Sequence, residues 1–384
     1  MTRSLGVAVV GFGWMGQVHA QAYHRVPHHF PELGIRPELV TVADEVPGRA
    51  EEAAARYGFA AATRDWRQVA VDPRVQAVSV TAPNFLHRQV GVAMAESGKH
   101  IWIEKPVGLS AADARAVADA VSKAGVQAAV GFNYRNAPAV AAARELVSSG
   151  EIGAVTHARI RLFSDYAAHP DGALTWRYER ERGGSGVLAD LASHGVDLAR
   201  HLLGEIDALI ADTAIFVPER ARPAGATAGH ARAAGGMRGI VENEDYVSCL
   251  LRFASGARGV LEACRVSVGE QNNYGFEIHG TKGAVMWDFR RMGELGVSTG
   301  TDYQDQPVST VFIGPGQGDY AAFQPGSAIA MSYDDLKVIE ARNFLRSAAE
   351  GIPHGAVLDD AVRSAAAVEA MTASARSGTW VSPA

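Results

Sequence analysis

Cysteine is nearly absent from this chain. Cys249 and Cys264 are the only two in 384 residues, and both fall in strand-like apolar runs. That excludes a disulfide framework or a zinc site and leaves two reduced core thiols as the expectation. Long apolar runs are also missing, so no segment reaches membrane-spanning length. Nor is there a basic excess: 36 Lys and Arg stand against 42 Asp and Glu, a net charge of −6. Nucleic acid and anionic membrane surfaces are therefore not expected partners. The first residues, Met-Thr-Arg-Ser, run directly into a strand-like segment with no signal-peptide pattern, and a cytoplasmic protein is the expectation. No internal repeat of diagnostic period is visible.

Glycine, in contrast, is abundant, with 41 residues, and it is most informative near the start. Leu5 to Val10 is an apolar run that ends in Gly11-Phe12-Gly13-Trp14-Met15-Gly16, with a helical pattern directly behind it. This is the dinucleotide-binding fingerprint in the strand–turn–helix context it needs. Gly11 permits the tight turn, Gly13 lets backbone approach a pyrophosphate, and Gly16 lets the helix lie close to the strand. The open amides of the helix N-terminus would face the phosphates. A second strand ends at Asp44, whose carboxylate is placed to accept from both ribose hydroxyls and to repel a 2′-phosphate, which points to NAD. Arg49 is near enough to leave dual use open.

At this length two domains are expected. Residues 1–133 alternate strand and helix, as in a doubly wound parallel sheet of Rossmann type. The first helix is expected over 14–26, followed by a long connection carrying Pro27, Pro31, Gly34 and Pro37 before a strand at 39–43. Residues 134–384 change texture. Alternating segments at 155–163, 208–217, 245–253, 257–268, 274–279 and 284–289 predict an α+β domain with a large, mostly antiparallel open sheet. A helix at 186–203 interrupts these strands, and helices at 333–349 and 359–375 end the chain, the last able to pack back on the first domain. The stretch 218–239, rich in Ala, Gly and Arg, reads as a long surface excursion.

Two further groups carry chemistry. Glu104-Lys105-Pro106 ends a parallel strand on the ligand edge of the sheet, where a lysine can polarise a hydroxyl or carbonyl. Alone, this pattern equally describes a surface lysine. Asp190, His194 and Asp197 share one side of a helix, and a carboxylate beside a histidine orients it and raises its basicity. A helix-face ion pair is the plain alternative, and metal binding has weak support from two carboxylates and one histidine.

The glycine turn, Ala82-Pro83-Asn84-Phe85-Leu86-His87, Glu104-Lys105-Pro106 and the Asp190-to-Asp197 run occur in an order that resembles the Gfo/Idh/MocA oxidoreductases. Gly275 to Gly283 extends the resemblance through the chain. Phe132-Asn133-Tyr134-Arg135, Leu174-Thr175-Trp176-Arg177 and the long excursion resemble its levoglucosan dehydrogenase and inositol dehydrogenase branch. The resemblance implies an NAD-dependent enzyme acting on a sugar, anhydrosugar or cyclitol hydroxyl, with Lys105, Asp190 and His194 catalytic. It places Gly11, Phe12, Gly13, Trp14, Met15, Gly16, Asp44, Thr81, Pro83, Asn84, His87, Glu104 and Lys105 around the cofactor, Glu104 near the nicotinamide ribose. Tyr134 and Asp197 match substrate-contact positions; Arg161, Trp176 and Arg177 are added where the sheet should face the cleft. No metal is implied, and a homodimer or homotetramer paired through the exposed sheet face is. The arginines Arg135, Arg161, Arg177 and Arg182 leave an anionic sugar open. An NAD-dependent glycosidase working by transient oxidation and a non-catalytic dinucleotide sensor remain the alternatives.

Overall fold

A computed structural model describes residues 3–225, 231–233 and 235–383. The first part of the chain runs β1 (Arg3–Val10), α1 (Trp14–His29), β2 (Ile35–Ala43), α2 (Arg49–Tyr57), β3 (Ala61–Thr63), α3 (Arg67–Val71), β4 (Ala77–Val80), α4 (Asn84–Glu96), β5 (His100–Ile103), α5 (Ala111–Ala124) and β6 (Ala128–Val130). It continues through α6 (Pro138–Ser148), β7 (Val155–Phe163), α7 (Arg180–Gly183), α8 (Ser193–Leu203), β8 (Ile206–Ala214), β9 (Glu219–Ala221), β10 (Arg238–Ile240), β11 (Tyr246–Phe253), β12 (Arg258–Cys264), β13 (Asn273–Gly280), β14 (Gly283–Asp288), β15 (Glu294–Thr299) and β16 (Ser309–Phe312), then α9 (Tyr333–Glu350) and α10 (Leu358–Ser377).

The chain divides into two compact units. The first comprises Met1–Asn136 with Ser332–Val362, the second Ala137–Met331 with Arg363–Ala384. The division after residue 136 lies close to the expected one after 133. Residues 332–362, within the expected second domain, belong to the first unit, and they include the start of the last helix. That segment contains α9, which packs along α1 and beside β5.

In the first unit six strands pair in the order β3-β2-β1-β4-β5-β6, and every pairing is parallel. The order reverses between β1 and β4, so a crevice opens there at the carboxyl ends of the strands. The sheet's near-continuous apolar runs, such as Val7 to Val10 and Ile101 to Ile103, are buried on both faces, as a sheet covered by helices on both sides requires. Two boundaries differ from the sequence reading. Helix α1 continues through Pro27 to His29, because the missing amide forfeits one bond while Phe30 N still closes the last turn on Val26 O at 2.8 Å. Strand β2 starts at Ile35 rather than 39 and contains Pro37. Pairing with β3 begins only at Thr41, so Pro37 sits where its missing N–H leaves no ladder bond unmade.

In the second unit eight strands pair in the order β16-β15-β14-β13-β7-β12-β11-β8. All pairings are antiparallel except β12 with β7. The inner face carries Ile160, Leu162, Leu261 and Phe276, all buried. Helix α8 lies on it so closely that a Cβ at Gly195 would stand 2.6 Å from Leu162 Cδ1. The ends of the 218–239 excursion form a two-stranded antiparallel ribbon, β9 with β10, while 226–230 and 234 lie outside the described residues. Among the described residues no helix is long and apolar enough to cross a membrane. Both cysteines are unpaired and buried, and burial pushes the Cys249 thiol up to about 12.

Candidate active site

The glycine turn has three different reasons for its three glycines. Gly11 adopts φ +88°, and a Cβ there would meet Ala82 Cα at 2.5 Å. A Cβ at Gly16 would stand 2.4 Å from Gly11 O. These two are required by the chain's own packing. At Gly13 an added Cβ would meet nothing within 4 Å, so the fold does not demand glycine there; a ligand lying against the backbone would. Gly13 is the N-cap of α1 and supplies no side-chain cap, and the first turn carries no acidic residue. Its unbonded amides and positive dipole end are left for an anion. These residues fit a dinucleotide.

The surrounding residues fix this turn. Thr81 Oγ1 donates to Gly11 O at 2.5 Å. Asp44 Oδ2 accepts from Phe12 N at 2.7 Å and Oδ1 from Val46 N at 2.9 Å. Arg49 Nη1 lies 3.4 Å from Asp44 Oδ1. Phe12 itself is a core residue, its ring edge-on to Tyr57 at 5.1 Å. Pro83 caps α4 and Asn84 begins it, so both lie at the ligand edge. His87 lies deeper, 1% exposed. Its ring nitrogens sit 2.7 Å from Pro106 O and 2.7 Å from Ala82 O, tying the β4 and β5 turns together. Burial pushes its pKa below the usual histidine range.

Lys105 follows β5 at the same edge, half-buried, and its bond to Pro106 is cis. Glu104 does not present its carboxylate to that edge. It is drawn inward to His19 Nε2 at 2.9 Å and to the Lys337 ammonium. A Cβ at Gly131 would lie 2.5 Å from Glu104 Oε2, so only glycine leaves room for this arrangement. Trp14 is 66% exposed and stacks on Tyr333 at 5.3 Å. The Tyr333 hydroxyl reaches Met15 Sδ at 3.6 Å, and its ring lies 6.4 Å from that of Tyr134. Tyr333 thus joins one expected substrate contact to two expected cofactor contacts. The sequence marked it only as the start of a helix over 333–349; in the structure Ser332 and Asp335 close a capping box before it.

In the second unit, Asp190 lies in a π-helical turn (Leu188–Ala192) that leads directly into α8. The expected continuous helix over 186–203 is thus interrupted where its carboxylate sits, a common place for a π turn at functional sites. The Tyr166 hydroxyl donates to Asp190 Oδ2 at 2.5 Å. Burial, and then the Asp190 charge, hold Tyr166 well above the usual phenol range; Tyr274 is raised by the same two causes. His194 and Asp197 follow on α8, both buried. Nothing in the spacing pointed to Tyr166 or Tyr274, which come from a loop and a distant strand.

Arg161 is a correction. It alternates with buried Ile160 and Leu162 on β7, so it occupies the face opposite α8. There it donates to Asn273 Oδ1 at 2.9 Å and pairs with Asp288 at 3.2 Å and Glu277 at 3.7 Å. It does not join His194. Trp176 and Arg177 share a 3-10 turn, with the guanidinium 4.6 Å over the indole. Arg135 is paired with Asp360 at 3.0 Å and Arg182 with Glu179 at 3.6 Å. Three of the four arginines that left an anionic substrate open therefore already face carboxylates. Among the described residues, one His/Asp/Glu trio has metal-like spacing: His19, Glu104 and Glu340. The Lys337 ammonium bonds both carboxylates and takes the place of a cation.

Residues 5–132 match the oxidoreductase-family model with an NAD-binding Rossmann fold, and 140–286 match the GFO/IDH/MocA C-terminal domain. Levoglucosan dehydrogenase of Pseudarthrobacter phenanthrenivorans is 36% identical over 382 residues, covering 99% of this chain and 98% of its own. The chain belongs to the Gfo/Idh/MocA oxidoreductase family. Inositol 2-dehydrogenase of Rhizobium meliloti is another relative, 30% identical over 347 residues, 87% of this chain and 93% of its own. Among solved structures, levoglucosan dehydrogenase in complex with NADH superimposes with a TM-score of 0.93 at 35% identity, covering 100% of both chains. Its complex with NADH and levoglucosan gives 0.93 at 34% identity, covering 99% of this chain and 100% of that one. This Gfo/Idh/MocA chain is thus an NAD-dependent oxidoreductase of the sugar and cyclitol dehydrogenase kind.

Proposed function

We propose that this oxidoreductase acts on a secondary hydroxyl of a neutral pyranose-like sugar, anhydrosugar or cyclitol, with Lys105, Asp190 and His194 as its catalytic residues. The observation that carries this reading is the end-to-end likeness to levoglucosan dehydrogenase, 36% over 382 residues. NAD, when bound, supplies the hydride acceptor. The glycine turn and the first turn of α1 hold its phosphates, and Asp44 accepts from its ribose hydroxyls. Lys105 holds the substrate oxygen through its ammonium. His194 accepts the hydroxyl proton, and Asp190 orients that imidazole. Tyr134, Trp176, Arg177 and Asp197 contact the substrate. The pairing of Arg135, Arg161 and Arg182 with carboxylates favours a neutral sugar over an anionic one.

The test is a panel of levoglucosan, myo-inositol, scyllo-inositol, glucose and nitrophenyl glycosides with NAD, with NADH and nitrophenol read together. Stoichiometric NADH from a free polyol supports the reading. Nitrophenol release without net NADH would replace it with a redox-neutral glycosidase, and cofactor binding with no turnover would replace it with a sensor. Pairing of two copies through the outer sheet face belongs to the same reading. That face exposes Leu250 by 50%, Val260 by 38% and Phe312 by 52%. Light scattering that finds only monomer would contradict it.

A further inference from the structure

The first unit hides an ionic cluster directly behind the residue just assigned to hold the substrate oxygen. Lys337 on α9 is fully buried. Its ammonium bonds Glu104 Oε1 and, at 2.8 Å, Glu340 Oε1. Trp102 Nε1 donates to the same Glu340 oxygen at 2.7 Å. Trp102 on β5 and Glu104, the residue directly after the strand, are two residues apart and both face α9, since each bonds one of its side chains; Lys337 and Glu340 are three apart on α9 and so are neighbours. An i, i+3 pair on a helix thus clasps an i, i+2 pair at a strand end. Helix α1 repeats the grip from its own position. His19 stacks on Trp102 with ring centroids 3.5 Å apart and reaches Glu104 Oε1 at 2.9 Å. His19 Nδ1 lies 3.1 Å from Ser79 Oγ, which also meets the Tyr23 hydroxyl at 2.9 Å.

Such a cluster is costly. A buried ammonium is tolerated only with counter-charges at hand, and an apolar side chain of similar volume commonly serves stability as well or better. Most of the buried side chains of the sheet around it are apolar. What the cluster achieves that a leucine could not is a fixed Glu104, the residue that leaves β5 and directly precedes Lys105.

We infer that Lys337 is a positioning residue for Lys105: by holding the Glu104 carboxylate it fixes the strand end that carries the lysine. This rests on the reading of Lys105 as catalytic.

The experiment compares Lys337→Met, Glu104→Gln and Lys105→Met in the full-length protein. Thermal unfolding, NADH affinity by fluorescence, and steady-state kinetics with NAD and levoglucosan, with kcat and KM separated, are read for each. Lys337→Met and Glu104→Gln are expected to bind NADH within about threefold of the parent and to lose about tenfold or more in kcat, with the sugar KM within about threefold. A purely structural role would lower the unfolding temperature and leave kcat of the folded protein at the parental value. Parental kcat in both variants, with Lys105→Met inactive, would overturn the inference and leave the catalytic reading standing. Full turnover in Lys105→Met would overturn the catalytic reading itself. If Lys337→Met does not fold, Glu104→Gln decides, because it keeps the Lys337–Glu340 pair intact.

Discussion

The Tyr166 hydroxyl donates to Asp190 Oδ2 at 2.5 Å, joining a loop residue to the carboxylate of the π turn that opens α8. A hydrogen bond to an ionised acceptor of this kind contributes about 1.5–3 kcal/mol. Tyr166→Phe keeps the ring and removes only the donor. The carboxylate then loses a partner that favours its charged form, so its pKa rises. The expected result is a fall in kcat/KM of about tenfold to a hundredfold at neutral pH, with the acid limb of the pH profile moved to higher pH. Kinetics across pH, with NADH affinity as the control, check this; an unmoved limb would remove Tyr166 from the site.

Asp44 has two jobs that one substitution separates. Its oxygens accept from Phe12 N and Val46 N, so it braces the glycine turn as well as offering a ribose acceptor. Asp44→Ala is expected to weaken NADH by about tenfold or more and to narrow the preference over NADPH, as Arg49 is released toward a 2′-phosphate. Fluorescence titrations with both cofactors measure this. An unchanged ratio of the two affinities would refute the ribose assignment.

Most of this molecule was legible where a single short-range rule applied. The glycine turn and the strand ends at Asp44 and Glu104 each rest on local stereochemistry. What stayed hidden depended on partners distant in sequence. Arg161 was assigned to the cleft because a polar residue on a strand belongs to one of two faces, and only the packing of Leu162 under α8 decides which. Glu104 looked like a ligand-edge carboxylate until Lys337, 233 residues away in sequence, turned it inward. The π turn at Asp190 carries no mark in its composition.

Arg161→Ala should therefore leave kcat/KM and the sugar KM within about twofold of the parent, because the side chain lies across the sheet from α8 and already faces Asp288 and Glu277. Its loss should appear instead in the outer face, as a change in the association constant measured by light scattering or sedimentation. A tenfold loss in turnover with unchanged assembly would restore it to the substrate wall.

Gly13 and Gly16 should respond oppositely to the same methyl group. Gly16→Ala drives a Cβ to within 2.4 Å of Gly11 O, so backbone must shift, and a destabilisation of about 1–3 kcal/mol is expected. Gly13→Ala meets nothing within 4 Å at a φ of −76°, so unfolding should move by no more than about 0.5 kcal/mol. Its cost falls on the ligand. The methyl occupies the approach to the backbone, and NADH affinity should drop by about tenfold or more. Urea unfolding and NADH titration of the two variants separate a glycine kept for packing from one kept for the cofactor. Undiminished NADH affinity in Gly13→Ala would count against the phosphate site.

The buried cluster predicts how stability depends on pH. Burial lowers His19 from 6.5 to about 4, so its neutral form belongs to the fold. The unfolded chain takes up a proton below 6.5 that the native state refuses; this contribution is complete above 6.5 and is lost as pH falls toward 4. Burial pushes the Glu340 carboxyl up, and the sign reverses. The native state keeps a proton that the unfolded chain releases, so that contribution is present at low pH and is lost as pH rises through the raised value. Between about pH 5 and 6.5 the two slopes, each at most about 1.4 kcal/mol per pH unit, oppose one another. Glu340→Gln removes the falling slope and should make stability rise more steeply with pH across that interval; His19→Asn should make it rise less steeply than in the parent, because His87 keeps its own rising contribution. Urea midpoints of the parent and both variants, taken every half pH unit, would show the divergence, and parallel curves for all three would mean that these two groups do not titrate against each other inside the fold.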